Sequence, residues 1–288
     1  MLINYFSLAH IIYLAIALFL VLALYFIFRR RSFFAQRTLV LSIILINVIQ
    51  HLFKLEIYPI YNGGFDALCT AYNMCALLIL TSPIAHFVKF APLRDFIYYI
   101  GTSAGIVALL IPYWNIGTYA FSGEMIRFFI CHVLLLLSSV LPLLFGHHKP
   151  SWRRFPFVGL SFFLGIGVII LNDIICMSLG IYGVLTTENL YESLAIANPI
   201  WSFGPPEGFG FVMDIADFFT PDFLLGKNGG RLVPVLWYFI PLYIGISIVA
   251  FAVFAISDRR KFSLDFEAFR TKIKALASRI FKKREKND

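Results

Sequence analysis

The sequence LAHIIYLAIALFLVLALYFIF, residues 8–28, is continuously apolar apart from His10. It contains no Asp, Glu, Lys or Arg. A helix of about 20 apolar residues crosses the hydrocarbon core of a bilayer, which is about 30 Å thick. The stretch therefore predicts a transmembrane helix.

The composition of the whole chain points the same way. Of its 288 residues, 60% are hydrophobic, 17% are aromatic and 14% are charged, and the mean hydropathy is +0.82. Soluble domains are about 45–50% apolar and about 25% charged. This composition excludes the soluble globular, disordered, collagen-like and disulfide-scaffold classes.

Six further apolar runs have the length of a membrane span. They lie at about 38–58, 66–87, 95–114, 124–145, 155–178 and 232–256. Together with the first run they predict an all-α, seven-transmembrane-helix bundle over residues 1–256. Too little polar sequence lies between the runs to form a separate soluble domain.

The basic residues set the predicted orientation. They follow the first, third, fifth and seventh runs, as Arg29, Arg30, Arg31, Arg37, Lys89, Arg94, Lys149, Arg153, Arg154 and a dense group at 259–286. Because cytoplasmic loops are rich in Lys and Arg, we expect the N-terminus outside and the C-terminus inside. The net charge of +8 is then explained by topology, and no nucleic-acid partner is expected.

Residues 257–288 form a basic tail. Its apolar residues recur at spacings of three and four, namely Phe262, Phe266, Phe269, Ile273, Leu276 and Ile280. This pattern predicts an amphipathic helix that lies on anionic lipids of the inner leaflet. A coiled-coil seam has the same spacing and is the alternative.

The outer connection at 179–231 is much longer than an ordinary loop. It is rich in Trp and Phe, which argues against disorder. We expect one or two short helices here, either on the outer leaflet or folded over the bundle.

Polar residues at membrane depth are costly, so they are the best functional signal in this sequence. Such residues in the outer half of the predicted spans are His10, His51, Cys69, Asn73, His132 and Asn172, with Glu56 at the end of the second run. Their shared depth predicts one polar cavity that opens outward. The alternative is a separate local role for each residue. His132 lies roughly 12 Å inside its span by the helical rise and needs a partner there.

Familiar cofactor and metal motifs do not occur in the sequence. All four cysteines lie within predicted spans, and Cys69 and Cys75 are six residues apart on one predicted helix, so they cannot bridge. The His and Cys spacings do not match a zinc site. We therefore expect no metal and no cofactor.

Several segments together resemble a known family. They are Phe6 to His10, Phe65 to Cys69, Cys131-His132, Leu171-Asn172, Asn198 to Trp201 and Val233 to Tyr238. In this order they resemble the YwaF family of bacterial integral membrane proteins, whose eukaryotic relative is transmembrane protein 164, a phospholipid acyltransferase. Ala67 and Phe65 stand where that family has His and Pro.

The resemblance implies a seven-helix bundle in a bacterial plasma membrane, with membrane phospholipids as partners. It implies a catalytic pair of Cys69 and His132 that acts on phospholipid acyl chains. The expected substrate-binding residues are His10, His51, Glu56, Asn73, Asn172 and Asn198. The oligomeric state does not follow from it.

Two functions remain open from the sequence. The first is acyl transfer or hydrolysis by the Cys/His pair at the outer leaflet. The second is non-catalytic binding or transport of a lipid or small amphiphile in the outward polar cavity. A scaffold role that uses the basic tail is a third, weaker interpretation.

Overall fold

A computed structural model describes residues 1–58, 66–112, 115–149, 151–197, 244–248, 251–255 and 258–284. The described helices are α1 (Leu8–Phe28), α2 (Phe33–Leu52), α3 (Lys54–Ile57), α4 (Met74–Phe87), α5 (Ala91–Leu110), α6 (Gly123–Leu144), α7 (Phe155–Ser178), α8 (Leu190–Ala197) and α9 (Arg259–Arg284). Short 3₁₀ turns lie at Ala67–Cys69 and Trp152–Arg154.

Five of the described helices, α1, α2, α5, α6 and α7, are long and apolar enough to cross a membrane. The all-helical membrane class is thus confirmed. The helix α4 is shorter, with 14 residues. Within the predicted seventh span, residues 244–248 and 251–255 are helical, and the rest of that span lies outside the described residues. The count of seven spans and their orientation stay predictions.

Side-chain caps fix where four of the helices begin. Ser7, Ser32, Asn73 and Ser122 each accept a hydrogen bond from a backbone N–H in the first turn of the helix that follows. Such a cap satisfies one of the N–H groups that a helix start leaves without a partner.

The third predicted span differs from the structure. It was expected to begin at residue 66, whereas α4 begins at Met74 after the 3₁₀ turn Ala67–Cys69. Asp66 caps that turn and Asn73 caps α4, so the chain breaks between them. The prediction that Cys69 and Cys75 share one helix was wrong, because Cys69 lies in the turn and Cys75 in α4.

The helix α6 packs against α1, α2, α4 and α5. Its closest approach to α5 occurs at Gly101 and Gly105. A Cβ atom added to Gly105 would lie 2.9 Å from Leu136 Cβ, and one added to Gly101 would overlap Ser139. Small residues spaced by four let membrane helices approach closely.

The outer face of α1 is apolar and exposed. Its exposed large residues are Leu8, Ile11, Ile12, Ile16, Leu18, Phe19, Leu22, Phe26 and Ile27. In water such a face would be unfavourable, whereas in a bilayer it contacts lipid chains.

The tail is helical, as predicted, over α9. Its first part is attached to the bundle, because Asp265 accepts hydrogen bonds from Trp152 Nε1 at 3.0 Å and from Arg153 Nε at 2.8 Å. In the outer loop, α8 agrees with the predicted short helix, and residues 198–231 of that loop lie outside the described residues.

Candidate functional site

The 3₁₀ turn that carries Cys69 is held from the α2 side by two side chains. His51 Nε2 donates to the carbonyl of Thr70 at 3.0 Å. Lys54 Nζ donates to the carbonyl of Leu68. The two carbonyls that flank Cys69 in sequence therefore accept hydrogen bonds from an imidazole and an ammonium group.

The opposite side of the turn is held by α7. Asn172 Nδ2 donates to Thr70 Oγ1 at 2.8 Å, and the Thr70 hydroxyl donates to the carbonyl of Ala67 at 2.5 Å. Cys176 Sγ lies 3.7 Å from the same hydroxyl. Of the predicted site residues, the structure thus brings His51, Cys69 and Asn172 together.

Two cations face this region, and sequence reasoning did not include them in the site. Lys54 is 2% exposed, and its ammonium group lies 4.8 Å from the centre of the Tyr72 ring. It interacts electrostatically with Arg127 and with the sulfur atoms of Cys69 and Cys131. The buried Nε of Arg127 meets no hydrogen-bond partner among the described residues. The position of Lys54 at the outer end of the second predicted span is the feature of the sequence that could have indicated its role.

A second chain of hydrogen bonds joins the end of α2 to α6. Asn47 Nδ2 donates to the carbonyl of Cys131 at 3.3 Å, and Gln50 Nε2 donates to Asn47 Oδ1 at 2.7 Å. The Tyr58 hydroxyl donates to Gln50 Oε1 at 3.3 Å. Two amide side chains of α2, Asn47 and Gln50, thus connect the end of α2 to α6.

His132 lies one residue beyond Cys131 but has a local partner. Its Nδ1 lies 2.8 Å from the carbonyl of Phe128 on the same helix, and its ring centre lies 4.3 Å from that of Phe128. The predicted need for a partner at this depth is met within α6. No hydrogen bond in the described part of the chain joins His132 to Cys69.

The side chains of Asn73 and His10 form hydrogen bonds with backbone groups and have a structural role. Asn73 Oδ1 accepts the N–H of Ala76 at 2.9 Å and caps α4. His10 is fully buried; its Nδ1 accepts the N–H of Phe6 at 3.0 Å, and its Nε2 donates to the carbonyl of Leu109 at 2.7 Å. Both nitrogens of His10 therefore hold backbone groups, one of them near the end of α5.

The last two predicted residues are elsewhere. Glu56 is exposed on α3. Asn198 lies outside the described residues. Substrate binding by either stays a prediction.

Asp173 is an acidic residue that sequence reasoning passed over. It is fully buried in α7, and neither carboxylate oxygen has a hydrogen-bond partner within the part of the chain described. Burial and the nearby Asp173 raise the pKa of Tyr182, which follows α7, above its ordinary value. The phenol therefore stays neutral at physiological pH.

In the described ranges, no group of three or more His, Cys, Asp and Glu side chains is arranged to hold an ion. The region around Cys69 offers a thiol whose two neighbouring backbone carbonyls accept hydrogen bonds from an ammonium group and an imidazole.

Comparison with protein families supports the resemblance seen in the sequence. Residues 5–202 match the model of the TMEM164 family. No curated protein and no solved structure matches the chain. The relation to transmembrane protein 164 is confirmed, and the closer relation to the YwaF family stays a prediction. Because the match covers more than half of the 288 residues, the chain belongs to the TMEM164 family.

Proposed function

We propose that this protein transfers or hydrolyses acyl groups of membrane phospholipids, with Cys69 as the nucleophile. The observation that supports the proposal is the position of Cys69 between two carbonyls that accept hydrogen bonds from Lys54 and His51. A cysteine with an ammonium group and an imidazole close by is a typical arrangement for covalent acyl chemistry.

The reaction has two steps. In the first, the Cys69 sulfur attacks the ester carbonyl of a phospholipid; a C–S bond forms, and the ester C–O bond breaks. The thiol proton passes through an imidazole to the oxygen of the departing lysophospholipid. In the second, a lysophospholipid hydroxyl or water attacks the thioester; a C–O bond forms and the C–S bond breaks. The proton of the attacking group passes through the imidazole to the Cys69 sulfur.

The contacts favour His51 over His132 as the imidazole. His51 contacts the residue next to Cys69, whereas the Nδ1 of His132 bonds to its own helix. If His51 donates from Nε2, its Nδ1 is left as the acceptor of a proton. His132 stays the base expected from the family resemblance, and both are tested below.

Asn172 acts as a positioning residue in this proposal. Its amide holds the Thr70 hydroxyl, and that hydroxyl holds the carbonyl of Ala67. The conformation of the turn, and with it the direction of the Cys69 side chain, depends on this pair of bonds.

The experiment uses the full chain in liposomes of phosphatidylcholine with a labelled acyl chain, plus a lysophospholipid acceptor. Wild type is compared with Cys69→Ala, His51→Gln and His132→Gln. Cys75→Ala is the matched control, since it removes a thiol six residues away in α4. The proposal expects turnover to disappear in Cys69→Ala and to persist in Cys75→Ala.

The histidine variants assign the base. A general base contributes about 10²–10⁴-fold to a rate, so the variant that falls by that amount identifies the imidazole. Turnover that is equal in wild type and Cys69→Ala would overturn the proposal.

A second function is favoured by one observation. Cys69 is only 1% exposed, which also suits a packed thiol in a protein that binds a lipid or small amphiphile without reacting. Saturable binding of phosphatidylcholine, with no product formed by wild type, would select this function.

We further propose that the chain forms a seven-helix bundle in a bacterial plasma membrane, with its N-terminus outside. The basic residues of the connections and of α9 support this orientation by the positive-inside rule. In the same arrangement, the cations of α9 contact anionic lipids of the inner leaflet.

A further inference from the structure

We propose a second lipid site, at the end of the bundle opposite Cys69, for the phosphate and one acyl chain of an anionic phospholipid. The helix α4 begins near Cys69 and ends at Phe87, next to the start of α5. The proposed site opens at that far end. It goes beyond the acyl chemistry proposed for Cys69 and does not depend on it.

The site is a cavity of about 860 Å³ between α5, the end of α6, the start of α7 and the residues that lead into α9. Its lining extends along α5 from Asp95 to Ile106, which is about 16 Å by the helical rise. Ligand pockets are usually about 300–1,000 Å³. The length and the volume suit one acyl chain together with a phosphate group.

The mouth of the cavity is basic. Asp95 is buried, and its carboxylate is paired with Arg154 and, at 2.6 Å, with His148 Nε2. Its charge is therefore compensated within the protein. Lys149 and Lys261 also line the cavity and are exposed.

Asp258 is the other carboxylate in the lining. Three cations, Arg154, Lys149 and Lys261, thus face two carboxylates. The net charge of the lining is positive even when His148 is counted as neutral. A positive mouth selects a phosphate over a choline or ammonium group.

The deeper part of the cavity is apolar and adjoins the lipid-facing surface. Ile106 and Leu144 line it and are 43% and 44% exposed. Apolar side chains that are exposed on a membrane helix contact lipid chains. An acyl chain can therefore enter the cavity from the bilayer, between the helices. A soluble phosphate would not use this apolar entrance.

One polar group inside the cavity is buried without a partner among the residues that the structure describes. Thr102 Oγ1 is buried and meets no hydrogen-bond partner in the described ranges. It lies on α5 between the basic mouth and Ile106. A buried hydroxyl needs a bond, and the ester carbonyl of a lipid would supply an acceptor at this depth.

The test is native mass spectrometry of the full chain in detergent, with added dioleoylphosphatidylglycerol or dioleoylphosphatidylcholine. We expect the wild type to retain the anionic lipid more tightly. The double variant Lys149→Gln and Lys261→Gln should bind phosphatidylglycerol about thirtyfold more weakly, since each of the two cations contributes about 1 kcal/mol near a lipid phosphate. Ile106→Trp should also weaken binding, because the indole fills the apolar part.

The matched control is Lys89→Gln with Arg30→Gln, two exposed basic residues outside the cavity and outside α9. It removes the same charge, and we expect its affinity to change less than about twofold. Unfolding temperatures of all variants show that they fold.

Three results would overturn the site: unchanged lipid binding in the cavity variants, an equal loss in the control, or displacement of the lipid by glycerol 3-phosphate at equal concentration. The last would identify a soluble phosphate as the ligand. Cys69→Ala should bind phosphatidylglycerol like wild type. The lipid-binding result can therefore be interpreted even if the acyl-transfer proposal fails.

Discussion

At the scale of single residues, His10 and Cys69 show how differently two polar residues at a similar predicted depth are used. His10 holds two backbone groups, and one of these bonds fixes Phe6 at a φ of 54°. A non-glycine residue rarely adopts this conformation. Cys69 instead lies in a turn that other side chains hold in place.

His10→Ala should destabilise the protein by about 2–4 kcal/mol. The change leaves the Leu109 carbonyl without its donor and opens a cavity in a buried site. The measurement is the unfolding temperature in detergent. Leu18→Ala on the exposed face of α1 is the control and should have little effect; equal effects of the two would contradict the structural role of His10.

At the scale of helices, the close contact of α5 and α6 depends on glycine. Gly101 and Gly105 have the spacing of small residues that is typical of tight membrane-helix pairs. The spacing of these two glycines is visible in the sequence, but the predicted site was chosen from polar residues alone.

Gly105→Ala should cost about 1–3 kcal/mol, because the added methyl group would meet both the side chain and the backbone of Leu136. Gly167→Ala on α7 is the matched control, since nothing lies within 4 Å of an added Cβ there. It should leave stability unchanged or raise it slightly. Unfolding temperatures compare the two, and a Gly105 variant as stable as the Gly167 variant would contradict the packing.

The attachment of α9 to the bundle should depend on pH. The hydrogen bond and charge of Arg153 lower the pKa of Asp265 below its ordinary value. A carboxyl group with a lowered pKa in the folded state stabilises it above the ordinary carboxyl pKa, about 4, and loses that contribution as the pH falls further.

The measurement is the fluorescence anisotropy of a fluorophore attached to Ser263→Cys. The anisotropy should be high at pH 7 and should decrease once the pH is lower than about 4. With Asp265→Asn it should already be low at pH 7. Anisotropy that is independent of both pH and Asp265 would show that this pair does not hold the helix.

At the scale of the whole molecule, the membrane class was predictable because the apolar runs are long and almost free of charge. The starts of α1 and α7 were predicted to within a residue or so, at Leu8 and Phe155. The break before α4 was missed, because the residues from Ala67 to Ala71 are apolar enough to continue a span, and a turn capped by Asp66 leaves no mark in hydropathy.

The candidate site was predictable only in part, for a related reason. Depth along the membrane normal follows from position in the sequence, but the rotation of each helix about its axis does not. His51 and Asn172 both bond to Thr70, the residue after Cys69, whereas His10 lies on α1 and bonds to Leu109 of α5. A lysine at a span end usually reaches the interface, whereas Lys54 is buried.

The orientation of the bundle can be tested with single added cysteines. Val184 lies on the predicted outer side and is 94% exposed, and Lys149 lies on the predicted inner side. The two variants are Val184→Cys and Lys149→Cys. A membrane-impermeant maleimide should label the first in intact cells and the second only after lysis. The reverse pattern would invert the predicted topology.

Acyl transfer through Cys69 requires a covalent intermediate, and its mass is the quantity to measure. Wild-type protein incubated with phosphatidylcholine without an acceptor, then digested, should yield the Cys69 peptide heavier by one acyl group. Hydroxylamine should remove that mass, Cys69→Ala should lack it, and Cys75→Ala should retain it. A peptide that stays unmodified while labelled lipid is consumed would contradict a thioester at Cys69.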